Sequence, residues 1–134
     1  MAGPMLSTVS FHPFLSHFPV ALFTAAAALL FMARRGDRPS LLAAARFNLS
    51  LGLLAAVLAC FSGMVSADLN LKTNVEVEGH QGYSFLFTLV LGIAVGYAYT
   101  RAYSAVALVF YSTSGLALLA CIYSGYLLVF ASAA

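Results

Sequence analysis

The sequence predicts an all-α integral membrane protein, a bundle of four transmembrane helices, on three observations. First, 63% of its 134 residues are hydrophobic and only 7% are charged, whereas a water-soluble domain carries roughly a quarter charged residues. So few charges cannot cover a surface that faces water, and lipid is the solvent most of this chain requires. Second, four apolar stretches each reach the roughly 20 residues that a helix needs to cross a bilayer. Third, these stretches and their short connections use up nearly the whole chain, which leaves one domain over residues 1–134.

The first helix is expected over about 11–33. It opens with His12-Pro13-Phe14-Leu15-Ser16-His17-Phe18-Pro19 and stops at the polar run Arg34-Arg35-Gly36-Asp37-Arg38-Pro39. The second is expected over about 40–67, with Ser40 placed to cap it after a proline that disfavours helix before it. Arg46 falls in its first two turns and reads as a side chain that snorkels back to the interface. The longest polar connection follows, from Asp68 to Gly79, with Lys72, Glu76 and Glu78 between them. The third helix is expected over about 80–100, ended by Arg101, and the fourth over about 103–130.

Arginine and lysine near the helix ends set the orientation. Arg34, Arg35, Arg38 and Arg101 flank the first and third connections, with Arg46 close by, while the middle connection holds only Lys72. The positive-inside rule then puts both chain ends outside the cytoplasm, an N-out/C-out topology. The uncharged start argues against a cleaved leader, which needs a positive n-region. Tyr97, Tyr99 and Tyr103 fit an aromatic belt at the cytoplasmic interface. Gly92 and Gly96 form a small GxxxG pattern that reads as bundle packing, with a dimer contact as the alternative.

Composition also excludes. A net charge of +2 is too small to suggest nucleic acid. Cys60 and Cys121 sit in apolar stretches and read as small buried hydrophobes, and the missing CxxCH motif rules out covalent haem c. There is no HExxH, no GxSxG, no Walker loop and no paired carboxylate inside a helix. No helix carries a polar stripe wide enough to line a pore. Redox chemistry would need a cofactor, because these side chains alone supply none.

His12, His17 and His80 are the only histidines, and topology gathers them at one side of the bilayer. An ionisable side chain at membrane depth is a functional hypothesis by default. Five residues of ideal helix separate His12 from His17 by about 140°, so at most one of them faces the bundle centre, and His17 is the one favoured here. Each helix pair begins with a histidine and reaches arginine, which would set His17 and His80 across the bundle axis. One reading is haem b with His17 and His80 as axial ligands, His12 as an alternate or supporting ligand, and Lys72, Tyr83 and Gln81 near the propionates. Asp68 would orient a ligating ring. A second reading is a metal or proton site built from the histidines and Asp68. In a third the histidines bond only to loop backbone, in a cofactor-free accessory subunit of a larger membrane complex. Met64 reads as packing rather than as a soft ligand.

The opening His12-Pro13-Phe14-Leu15-Ser16-His17-Phe18-Pro19 resembles the HPxxxHFP opening of a bacterial family of predicted membrane proteins, domain-of-unknown-function family 2231. The resemblance extends to the Gly63…Asp68 end of the second helix, to His80, and to Ser124-Gly125-Tyr126-Leu127-Leu128-Val129-Phe130, where Tyr126 replaces one glycine of the usual ending. It implies four helices, multi-pass insertion in a bacterial inner membrane and frequent company with redox proteins. By motif position it points to His12, His17, Asp68 and His80. The expected partners are the lipid bilayer and either other membrane or redox subunits or further copies of the chain. An electron-transfer or accessory subunit is expected rather than an enzyme.

Overall fold

A computed structural model describes residues 11–69 and 75–130. They form four α-helices and, among the described residues, no strand. The helices are α1 (Phe11–Gly36), α2 (Pro39–Leu69), α3 (Val75–Thr100) and α4 (Ala105–Phe130). All four are long and apolar enough to cross a membrane. Helix α1 packs along α2, and α3 along α4; α2 lies against α3, and α1 barely touches α4. The bundle is thus two helical hairpins joined through α2 and α3, with a looser seam between α1 and α4.

The helix ends depart from expectation by a few residues, for local reasons. Helix α1 continues through Arg34 and Arg35 to Gly36. It closes when Asp37 takes a left-handed conformation (φ 46°) and the Arg38 N–H returns to the Ala33 carbonyl at 3.2 Å, the bond of a Schellman ending. The Arg38 carbonyl then accepts the first bonds of α2, from Leu41 and Leu42. Pro39 therefore opens the helix, where its missing N–H costs nothing, and Ser40 is inside α2 rather than its cap. Helix α3 begins at Val75, five residues before His80, and takes Glu76 and Glu78 into its first turn, where negative charge suits the helix dipole. Helix α4 begins at Ala105 because Ser104 caps it: its Oγ accepts the Ala107 N–H at 3.1 Å.

Inward positions repeat in steps of three and four. Pro19, Phe23, Ala26, Leu30 and Ala33 are buried on α1; Ala45, Leu49, Gly52, Ala56 and Ala59 on α2. The buried side chains are mostly small, while large ones such as Leu89 and Leu116 are 67% and 68% exposed. Lipid removes the ordinary penalty for exposing leucine, so helix association relies on close packing at small residues. At Gly52 an added Cβ would lie 3.4 Å from Leu22 Cβ and 3.8 Å from the Phe23 nitrogen. Mid-bundle, Phe23 and Phe87 meet edge to face at 5.9 Å. Of the GxxxG pair, Gly92 faces Leu53 of α2, whereas Gly96 is exposed with nothing near.

Arg46 does more than snorkel. Its Nε–H donates to the Ala98 carbonyl at 2.7 Å, one of the last four carbonyls of α3, which lack intrahelical donors. A guanidinium at a helix C-terminus also complements the dipole, and it lies over the Tyr99 ring, 5.6 Å from its centre. The Tyr103 hydroxyl reaches across to the Leu30 carbonyl at 3.3 Å. Among the described residues, Tyr111 Oη and Ser114 Oγ are buried without a hydrogen-bond partner.

Gly52→Leu should force α1 from α2 and cost about 1–3 kcal/mol, read as a lower unfolding midpoint in detergent. Leu116→Ala, on the lipid face, should shift that midpoint by no more than about 0.5 kcal/mol equivalent.

Candidate functional site

Two of the three histidines meet. His12 lies at the start of α1, and His80 on the second turn of α3. Their ring centres are 6.1 Å apart with planes at 79°. Both rings are half-buried. His17 is exposed, and its Nδ1–H bonds to the Pro13 carbonyl of its own helix. The expectation that only one of His12 and His17 turns inward holds, but the inward one is His12. The reason is register: His12, Pro19, Ala26 and Ala33 are spaced by seven, on the stripe α1 buries, and His17 lies off it. Pro19 sits on that stripe inside an unbroken α1.

Each inward imidazole has a matching seat on the partner helix of its own hairpin. His12 Nδ1 is 2.9 Å from Ser62 Oγ of α2. His80 Nδ1 is 2.9 Å from Ser124 Oγ of α4 and 3.1 Å from the Cys121 carbonyl. Each serine hydroxyl donates back one turn, Ser62 to Ala59 and Ser124 to Cys121, both at 2.9 Å. Beside each serine is a glycine that makes room for the ring. A Cβ on Gly63 would lie 2.9 Å from His12 Cε1, and one on Gly125 would lie 3.1 Å from His80 Cε1. The two hairpins therefore repeat one unit, a histidine near the start of the first helix against Ser-Gly near the end of the second.

Below His80 on α3 come Ser84 and Thr88, one and two turns away, each bonding back to the carbonyl four residues before it. Ser84 Oγ meets Cys121 Sγ at 3.1 Å, and Thr88 Oγ1 meets Cys60 Sγ at 3.4 Å. Both cysteines are half-buried free thiols, partnered to α3 rather than simply apolar filler. A cavity of about 20 Å³ opens beside His12, lined by Cys60, Met64, Gln81, Ser84 and Phe85, which is room for about one water. Among the described residues no three His, Cys, Asp or Glu side chains group to hold a bare metal ion.

The other sequence candidates fare differently. Gln81 lines that cavity. Tyr83 is exposed on α3, and Asp68 is exposed in the last turn of α2; the rings are oriented by Ser62 and Ser124 instead. Lys72 lies outside the described residues. The serine–glycine seats are not among the sequence candidates, although the sequence carries a signal for them: Phe61-Ser62-Gly63 and Tyr123-Ser124-Gly125 repeat aromatic–serine–glycine at matching places.

A family model described as a predicted membrane protein (DUF2231) matches residues 8–132. The chain belongs to that family. No curated protein and no solved structure matches the chain. Membership supports a multi-pass membrane protein and leaves the chemistry to the site. In this member the match takes in both histidine seats, from His12 to Gly125.

Gly63→Ala and Gly125→Ala should each press a methyl group into an imidazole and displace the side-chain nitrogen resonances of His12 or His80. The overpacking cost of about 1–3 kcal/mol is offset by the roughly 1 kcal/mol alanine gains over glycine in a helix, so the resonances are the sharper reading. Gly82→Ala, with nothing within 4 Å, should move neither ring.

Proposed function

We propose that the chain is a small haem b-carrying, cytochrome b-like membrane subunit that passes electrons, and that His12 and His80 would hold its iron. The observation that carries this is the facing pair itself. Two half-buried imidazoles from different hairpins, their ring centres 6.1 Å apart, would be the residues to hold the iron, for which neutral imidazole is a usual ligand. Each ring is held through Nδ1, leaving Nε2 as the ligand nitrogen, the division of labour that metal-bound histidines require. When bound, haem supplies a one-electron iron couple tuned by its ligands and surroundings. As donors, two neutral imidazoles suit haem iron. The side chains around the pair leave a water-sized space, so a macrocycle demands that the mouth of the bundle open.

In this reading the site lies near the extracytoplasmic face of a bacterial inner membrane, with both chain ends outside, as the arginine distribution favours. Membrane or redox subunits are its partners. His17 has no role at the iron.

A second reading is a cofactor-free proton site at the same pair. The small cavity favours it, and a ring separation of 6.1 Å is also that of an ordinary edge-to-face contact.

Absorption separates the two. Purified in detergent, the protein should give a sharp low-spin band in the reduced-minus-oxidised spectrum, lost in His12→Ala and in His80→Ala and kept in His17→Ala. A colourless, iron-free preparation would end the haem reading and leave the proton site or an accessory role. A band that survives both inward substitutions would show that other ligands hold the haem.

A further inference from the structure

We infer that Ser62 and Ser124 are positioning residues that, each together with the carbonyl one turn before it, fix both inward imidazoles as the Nδ1–H tautomer, so that the chain itself, before any ligand arrives, keeps an Nε2 lone pair on each. The inference concerns the same site as the haem reading but does not depend on haem.

It follows from counting protons. A serine hydroxyl has one proton to donate and lone pairs to accept with. Ser62 donates its proton to the Ala59 carbonyl at 2.9 Å, and Ser124 donates its own to the Cys121 carbonyl at 2.9 Å. Toward the imidazole nitrogen at 2.9 Å each hydroxyl can then only accept. With the hydroxyl proton on the carbonyl, the nitrogen facing each serine carries the hydrogen, and that nitrogen is Nδ1 in both rings. His80 meets the condition twice, since its Nδ1 also faces the Cys121 carbonyl at 3.1 Å, which has no proton to offer. A neutral imidazole has one N–H, so Nε2 of each ring is the base.

The carbonyls explain why serine serves here. In a helix interior the hydroxyl bonds back to the preceding turn, which uses up its proton and turns an ambivalent group into a pure acceptor. The glycine that follows each serine lets the ring come close enough to use it. Two neutral rings, each with a lone pair fixed on Nε2, can each bind an electrophile, whether a metal centre or a proton.

The test reads the tautomers directly. Full-length protein with nitrogen-labelled histidine is placed in lipid bilayers in the His17→Ala background, so that only His12 and His80 report, and its imidazole nitrogens are recorded near neutral pH. Both rings should show Nδ1 protonated. Ser62→Ala removes the acceptor His12 bonds directly and should move its Nδ1 resonance, with the Ala59 carbonyl beside the ring keeping the hydrogen on that nitrogen, and Ser62→Thr, which keeps a hydroxyl, should restore the original pattern. Ser124→Ala should likewise move the His80 Nδ1 resonance while the Cys121 carbonyl at 3.1 Å keeps the hydrogen on that nitrogen. A ring protonated on Nε2 in the unmodified site, or a His12 pattern indifferent to Ser62→Ala, overturns the assignment. Because no step involves haem, a colourless preparation defeats the haem reading alone.

Discussion

Everything in this bundle depends on helices that must approach closely without water to drive them together. Lipid is as apolar as the bundle interior, so burying a leucine gains little, and cohesion falls to packing between small residues. The chain meets that constraint with alanine, glycine and serine on its inward stripes and leucine, phenylalanine and valine outward. Gly52 brings α2 onto the backbone of α1, and Gly115 of α4 accommodates the edge of Phe23. The few large inward side chains, such as Leu49 and Leu91, are fully enclosed because small neighbours leave them that space.

The same constraint governs the polar groups. A donor or acceptor in hydrocarbon must find its partner inside the protein. Each imidazole is therefore buried only as far as a serine and a carbonyl can serve it, and each glycine beside those serines admits the ring. At the opposite end Arg46 donates to the Ala98 carbonyl in the last turn of α3, so this cation is a joint between α2 and α3. Between the histidine seats and Arg46, Phe23 meets Phe87, and Thr88 beside it pairs with the Cys60 thiol.

The use of one histidine seat twice gives the bundle an approximate two-fold character. Each hairpin alone presents a single anchored imidazole; only their union along α2 and α3 brings the two rings to 6.1 Å. Any function that needs both rings therefore belongs to the assembled bundle, and it would be sensitive to changes along the α2–α3 contact far from either histidine.

Composition and segment length alone determined that this chain is four membrane-spanning helices, because the cost of exposing backbone and charge to lipid permits almost nothing else. The stops and caps are partly legible: the arginine run ends α1 within three residues, but Ser40 looks like a cap in a sequence that does not reveal that Asp37 and Arg38 close the turn. Which histidines meet was not legible in practice. Both faces of every helix are apolar, so the contrast that marks a buried stripe in a soluble helix is missing, and the stripe is written instead in residue size, as in Pro19, Ala26 and Ala33. That subtler pattern carries His12 inward and leaves His17 outside. The pairing of His12 with Ser62 and of His80 with Ser124 spans 50 and 44 residues, and only the packing of antiparallel helices could set those partners at bonding distance.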